Sequence, residues 1–341
     1  MQSRAFITGV SGPELTAAER EFIGSERPWG FILFKRNIVT PQQVALLVQE
    51  LRKSVDAPDA PVLIDQEGGR VQRLGPPHWP VYPPGALFGA LYDVDPALGL
   101  AAARLSARLI AADLADLGIS ADCLPLADVP VAGADAVIGN RAYGTEPAKV
   151  AAIARAVTDG LEQGGILPVL KHIPGHGRAT ADSHFGLPRV DTPEKELERT
   201  DFAAFQPLSD LPMAMTAHVV FSALDPAHPA TTSATIIEQV IRGVIGFQGL
   251  LMSDDVSMNA LAGSIAERTR AIFSAGCDVV LHCNGRFDEM REVAAETPEL
   301  SGKALDRARR ALASRRAPQP FDRRAARAEL DAMIGRAGTG A

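Results

Sequence analysis

Three observations predict the fold class, which is α/β. Eight short apolar runs alternate with helical patterns along the whole chain. Chemically capable residues gather just past the ends of those runs. No G-x-G-x-x-G follows the first run and no P-loop is present, so a doubly wound nucleotide-binding sheet lacks its fingerprint. Together they predict a single (β/α)8 TIM-type barrel, if an irregular one, with extra C-terminal helices.

The elements follow in order. Runs at 5–10 and 31–34 open the chain, and Pro41 starts a helical pattern over 41–55. The run at 62–64 comes next. Asp95 and Pro96 then supply an N-cap and first-turn pair for a helix over 97–117. The run 119–124, a helix over 147–163 and the run 166–170 continue the alternation. The second half repeats it with the run 212–217, a helix over 234–245, the run 249–252, a helix over 263–275 and the run 277–281. Eight such runs is the number that closes a barrel. Residues 1–341 therefore read as one catalytic barrel domain, with the barrel over about 5–300 and peripheral helices over about 303–337. At 46 % hydrophobic residues the chain can bury so large a core.

The formal charge is −7, which gives no global attraction to nucleic acid or anionic lipid. It is unevenly spread. Residues 303–327 hold nine Lys and Arg against Asp306 and Asp322, a surplus of +7 beside a body of −14. Their alanine-rich context reads as solvated helices rather than an RNA-binding tail. Three scattered cysteines (Cys123, Cys277, Cys283) form no C-x-x-C. With no signal-peptide pattern and no membrane-length apolar run, this predicts a reduced, cytoplasmic protein without nucleic-acid or membrane partners, acting as a monomer and without a cofactor.

Four segments carry the chemistry. Asp65 follows the third run, in DQEGGR, and a strand-end aspartate can accept two hydroxyl hydrogen bonds. An ion pair of Asp65 or Glu67 with Arg70 or Arg73 is the competing structural reading. Arg141, in the glycine-bracketed GNRAYG, suits a ligand clamp. Lys171 and His172 open KHIPGHGRATADSHFGLP, in which Asp182 is close enough in sequence to His184 to hold its imidazole as a proton-transfer unit. This loop, 172–188, is expected to be displaced without ligand. His172, His176, Asp182 and His184 also admit a zinc reading, although Pro174 and Gly175 break the helix that the His172–His176 spacing would need. Asp254 and Asp255 end the seventh run. Strand alternation predicts that one faces the barrel mouth while the other braces the next turn, without saying which.

LFKRN, IDQEGGRVQRL, IGNRAYG, KHIPGHG with DSH, and MSDDVSM, in this order over about 6–285, resemble glycoside hydrolase family 3 in its single-domain bacterial β-N-acetylhexosaminidase form. The resemblance implies Asp254 as a nucleophile forming a covalent glycosyl-enzyme and His184 with Asp182 as the acid/base dyad. It also implies that Asp65, Arg141, Lys171 and His172 hold an N-acetylglucosamine ring. Many members carry a second α/β domain, for which this chain is too short. The implied activity is retaining exo-β-N-acetylglucosaminidase acting on muropeptides in cell-wall recycling. The alternatives are a phosphorylase of the same glycosides, attack by the substrate's own acetamido group, a metal-dependent hydrolase, and a non-catalytic sugar-binding protein.

Overall fold

In a computed structural model that describes residues 3–179 and 186–337, the eight runs form the eight parallel strands of a closed barrel. They are β1 (Arg4–Thr8), β2 (Pro28–Leu33), β3 (Val62–Ile64), β4 (Ala121–Asp122), β5 (Leu167–Ile173), β6 (Met213–Thr216), β7 (Leu250–Asp255) and β8 (Val279–His282). Closure comes from β8 pairing with β1, Phe6 opposite Val280 and Thr8 opposite His282.

Strands buried on both faces need apolar residues at every position, which is why they appear as continuous runs rather than alternating ones. Alternation survives as a division of labour. Ile7, Leu63, Cys123, Val169, Met215, Met252 and Leu281 fill the barrel interior. Phe6, Val62, Ile64, Leu170, Leu251 and Val280 face the helical shell.

The shell begins with α1 (Ala17–Glu26) and α2 (Pro41–Ser54), then α3 (Gly85–Val94) and α4 (Pro96–Asp116), then α5 (Pro147–Gln163). Asp95 caps α4 by accepting from the Ala97 N–H, with Pro96 in the first turn. After β5 come α6 (Glu194–Arg199) and α7 (Asp201–Phe205). The helix expected over 234–245 is a wider π-type helix, Ile236–Val244. Beyond it lie α8 (Ile265–Ala275), α9 (Phe287–Glu296), α10 (Gly302–Ala313) and α11 (Arg323–Ala337). Among the described residues no helix is long and apolar enough to cross a membrane.

The segment expected at the periphery divides in two. α10 does not sit outside the barrel wall: Ala308 and Ala311 pack into the same cluster as the inward-facing strand residues, so the helix closes the barrel bottom. Its anchor is the buried Asp278, which pairs with Arg307 at 2.8 Å and Arg242 at 2.9 Å and also accepts the Leu251 N–H. α11 packs on α4 and α3. Several of the surplus cations turn back onto the body: Arg315 donates to the Gly165 carbonyl and Arg323 to Asp116, while Arg327 lies over the Tyr82 ring. Asp278→Ala would leave two largely buried arginines unpaired. It is expected to cost about 3–5 kcal/mol of stability, measured by denaturant unfolding, while the activity of the folded fraction stays unchanged because the site lies at the opposite end. A loss under about 1 kcal/mol would show that the anchor matters little.

Candidate active site

The C-terminal ends of the strands enclose a cavity of about 150 Å³. Asp65, Arg141, Lys171, His172 and Asp254 all line it, together with Glu67, Arg73, His176, Asp255 and Cys283. Five of the seven sequence-predicted site residues therefore share one chamber. Asp182 and His184 lie outside the described residues, as does most of the central part of the 172–188 loop.

A buried charge network forms the floor on one side. Lys171, 2 % exposed, donates from Nζ to Asp65 Oδ1 at 2.9 Å and to Glu67 Oε1 at 2.6 Å. Arg141 holds Glu67 with two hydrogen bonds, Nε to Oε2 at 2.8 Å and Nη2 to Oε1 at 2.7 Å. Arg73 donates to Asp65 Oδ2 at 2.8 Å. Burial alone would raise the Asp65 carboxyl, but Lys171 and then Arg73 outweigh it and hold the group far below the ordinary carboxylate range. Glu67 is lowered for the same reasons, with Lys171 and Arg141 overcoming its burial. Burial would lower Lys171, yet Asp65 and Glu67 raise it well above an ordinary lysine. All five groups are ionised at neutral pH, and the network presents fixed donors and acceptors suited to a polyhydroxylated ligand.

The structural reading of DQEGGR is thus realised at Asp65, which also lines the cavity. Asp65 pairs with Arg73 as the structural reading expects. Glu67 instead joins Arg141 and Lys171, while Arg70 donates to backbone carbonyls including that of Ala136, at 2.7 Å.

A second centre is built on β5 and on the segment following β4. Asp128 is fully buried and accepts from His172 Nδ1 at 2.7 Å and from the His176 N–H at 2.7 Å. Burial would raise the Asp128 carboxyl, but His172 and His176 lower it below the usual value. An ionised Asp128 requires a proton on His172 Nδ1, which leaves Nε2 for a second partner. Burial and the neighbouring His172 push His176 down to about 4, against the pull of Asp128 and Asp254, so its ring is neutral at pH 7.

Asp254 and Asp255 end β7. Asp254 Oδ1 accepts the Asp255 N–H at 2.8 Å, and among the described residues no hydrogen bond occupies Oδ2. Burial opposes its ionisation, but His218, His172, the Asp255 N–H and Lys171 prevail and lower its pKa. Asp255 is the brace: its carboxylate accepts Ser257 N–H and Cys283 N–H, each at 3.0 Å, and Ser257 Oγ at 2.6 Å.

Strict alternation fails at the two strand ends that matter. Both members of the Lys171–His172 and Asp254–Asp255 pairs line the cavity. The β5–β6 register shifts between Leu170 and Ile173, and the β7–β8 register shifts between Met252 and Asp255. Such irregularities re-aim side chains next to active sites. Sequence reasoning did not single out Glu67 and Asp128 as site residues. Glu67 sits two residues past Asp65 and was open to the same strand-end logic, whereas Asp128 lies four residues past the end of its run and carries no local signal.

Among the described residues the arrangement provides one ionised carboxylate with a free oxygen, a histidine of fixed tautomer and a polar floor of paired charges. Residues 7–314 match the family description "Glycosyl hydrolase family 3 N terminal domain", a span that takes in α10 beyond the motifs. A protein named beta-hexosaminidase from Alkalilimnicola ehrlichii is 39 % identical over 282 residues, 82 % of this chain and 80 % of that one. Its namesake from Xanthomonas campestris pv. campestris is 37 % identical over 306 residues, 89 % of each. The structure of NagZ from Neisseria gonorrhoeae in complex with N-trifluoroacetyl-D-glucosamine superposes with a TM-score of 0.85 at 32 % identity, covering 99 % of this chain and 98 % of that one.

Proposed function

The chain belongs to glycosyl hydrolase family 3, and from that premise we propose that this β-hexosaminidase-type glycosidase is a retaining exo-β-N-acetylglucosaminidase. Its substrates are muropeptides, from which it removes N-acetylglucosamine attached to anhydro-N-acetylmuramic acid during cell-wall recycling. The observation that carries the reading is Asp254: ionised, at the cavity, one oxygen tied and the other open among the described residues. The N-trifluoroacetyl-D-glucosamine bound by the Neisseria relative supports the sugar class.

In the first step Asp254 Oδ2 attacks the anomeric carbon and the glycosidic C–O bond breaks. The leaving oxygen takes a proton from His184, which Asp182 orients. In the second step water gives a proton to His184 while its oxygen displaces the Asp254 carboxylate, so the anomeric configuration is retained. Asp65, Lys171 and Arg141 bind ring hydroxyls, and His172 offers Nε2. The same reading takes the protein as a cytoplasmic monomer with free thiols at Cys123, Cys277 and Cys283.

The test is turnover of a chromogenic N-acetyl-β-glucosaminide with and without phosphate. Free N-acetylglucosamine at a phosphate-independent rate is expected. Sugar 1-phosphate as the main product would establish the phosphorylase instead, and activity abolished by chelator and restored by Zn²⁺ would establish a metal-dependent hydrolase. A pH dependence follows as well. Asp254 attacks only when ionised and its pKa lies below the ordinary 3.8. The midpoint of the loss of kcat/KM caused by its protonation should therefore lie below that pH. A nucleophile titrating near 5 in the kcat/KM profile would contradict this.

A further inference from the structure

The hydrogen-bonded ladder between β7 and β6 ends at Met252 opposite Met215, three residues short of Asp255. The gap is spanned by a side chain. His218, fully buried just past β6, places Nε2 3.0 Å from the Asp255 carbonyl. A carbonyl only accepts, so Nε2 carries a proton. On the other side of the ring, Nδ1 lies 2.7 Å from Thr231 Oγ1, which also meets Thr216 Oγ1 at 2.8 Å and the Ala217 carbonyl at 3.0 Å. Thr216 and Thr231 are fully buried too.

Asp255 is consequently held at every polar atom. Its N–H serves Asp254 Oδ1, its carboxylate takes two backbone N–H groups and the Ser257 hydroxyl, and its carbonyl takes His218 at 3.0 Å together with the Met258 N–H of the following turn at 3.1 Å. Of these holds, only the one from His218 ties the end of β7 to β6. We propose that His218 is a positioning residue for the attacking carboxylate: its Nε2–H, with the ring braced by Thr231, pins the Asp255 carbonyl and thereby orients Asp254 toward the anomeric carbon. His218 does not touch the sugar, so its effect falls on the chemical step rather than on binding. The inference rests on Asp254 being the nucleophile.

The experiment compares wild type, His218→Leu, His218→Gln and Thr231→Val on a chromogenic N-acetyl-β-glucosaminide, with kcat and KM separated. A displacement near 1 Å costs about 10²-fold in rate, so His218→Leu should lose roughly 30- to 100-fold in kcat with KM within about two-fold. His218→Gln, whose amide N–H can still reach the carbonyl, should recover to within about five-fold of wild type. Thr231→Val should fall between the two. If His218→Leu misfolds, His218→Gln and Thr231→Val still decide. The proposal is overturned if kcat stays within two-fold of wild type in His218→Leu or in Thr231→Val, or if His218→Gln is no better than His218→Leu. It is also overturned if nitrogen-15 spectra of the wild type show His218 protonated on Nδ1 alone, an outcome independent of turnover. A wild-type chain that turns over no N-acetyl-β-glucosaminide would instead sink the hydrolase reading, and this inference with it.

Discussion

Asp254→Ala is expected to lower kcat/KM at least about 10⁴-fold, the scale on which loss of an attacking group is felt, while leaving the protein folded and able to bind N-acetylglucosamine. The substitution removes the one carboxylate at the cavity with an oxygen free among the described residues. Asp255 is next in sequence but cannot substitute, because both of its oxygens are engaged by Ser257 and Cys283. Folding should survive because, among the described residues, the Asp254 carboxylate takes a single backbone hydrogen bond. Steady-state kinetics with equilibrium binding of the sugar checks this. Residual activity above about one per cent would mean that another group performs the attack.

Lys171→Met should be the most damaging substitution for stability and site together. Among the described residues Lys171 is the one cation shared by Asp65 and Glu67. Removing one partner of a buried pair costs about 3–5 kcal/mol, and here two carboxylates are left facing each other. Arg73 and Arg141 still hold one carboxylate each, which keeps the loss toward the lower end. The displaced carboxylates should also lower kcat/KM by about 10²-fold. The pH dependence gives a sign to check. In the wild type Asp65 and Glu67 titrate below their unfolded values, so their stabilisation is present above those values and lost as the pH falls through the folded ones. In the variant only Arg73 and Arg141 offset the repulsion between the two carboxylates, their pKa values rise, and protonation relieves the repulsion. The stability gap between variant and wild type should therefore narrow as the pH drops below about 4.5. A gap independent of pH would show that Lys171 contributes by packing rather than by charge.

Much of the barrel was legible because strands buried on both faces leave continuous apolar runs, and all eight runs contain or overlap a strand. The strand-end rule also found Asp65, Lys171, His172 and Asp254, which meet in one cavity although they are far apart in sequence. What remained hidden depends on distance. Glu67 becomes the hub of the charge network only because Arg141, 74 residues away, folds onto it. Asp128 acquires meaning only when β5 brings His172 and His176 against it. Strict alternation does not describe the paired residues at 171–172 and 254–255, where the register shifts against the neighbouring strands. α10 looked peripheral for a similar reason. Its alanines read as a surface helix until the barrel bottom supplies a surface for Ala308 and Ala311 to cover.

The most direct test of the central claim is mass-spectrometric trapping with a fluorinated N-acetylglucosaminide that slows the second step. One covalent sugar per chain is predicted, carried by the peptide containing Asp254 and absent from Asp254→Ala. Turnover without any adduct, together with an oxazoline product, would show that the substrate's acetamido group attacks. An adduct on a residue other than Asp254 would contradict the assignment outright.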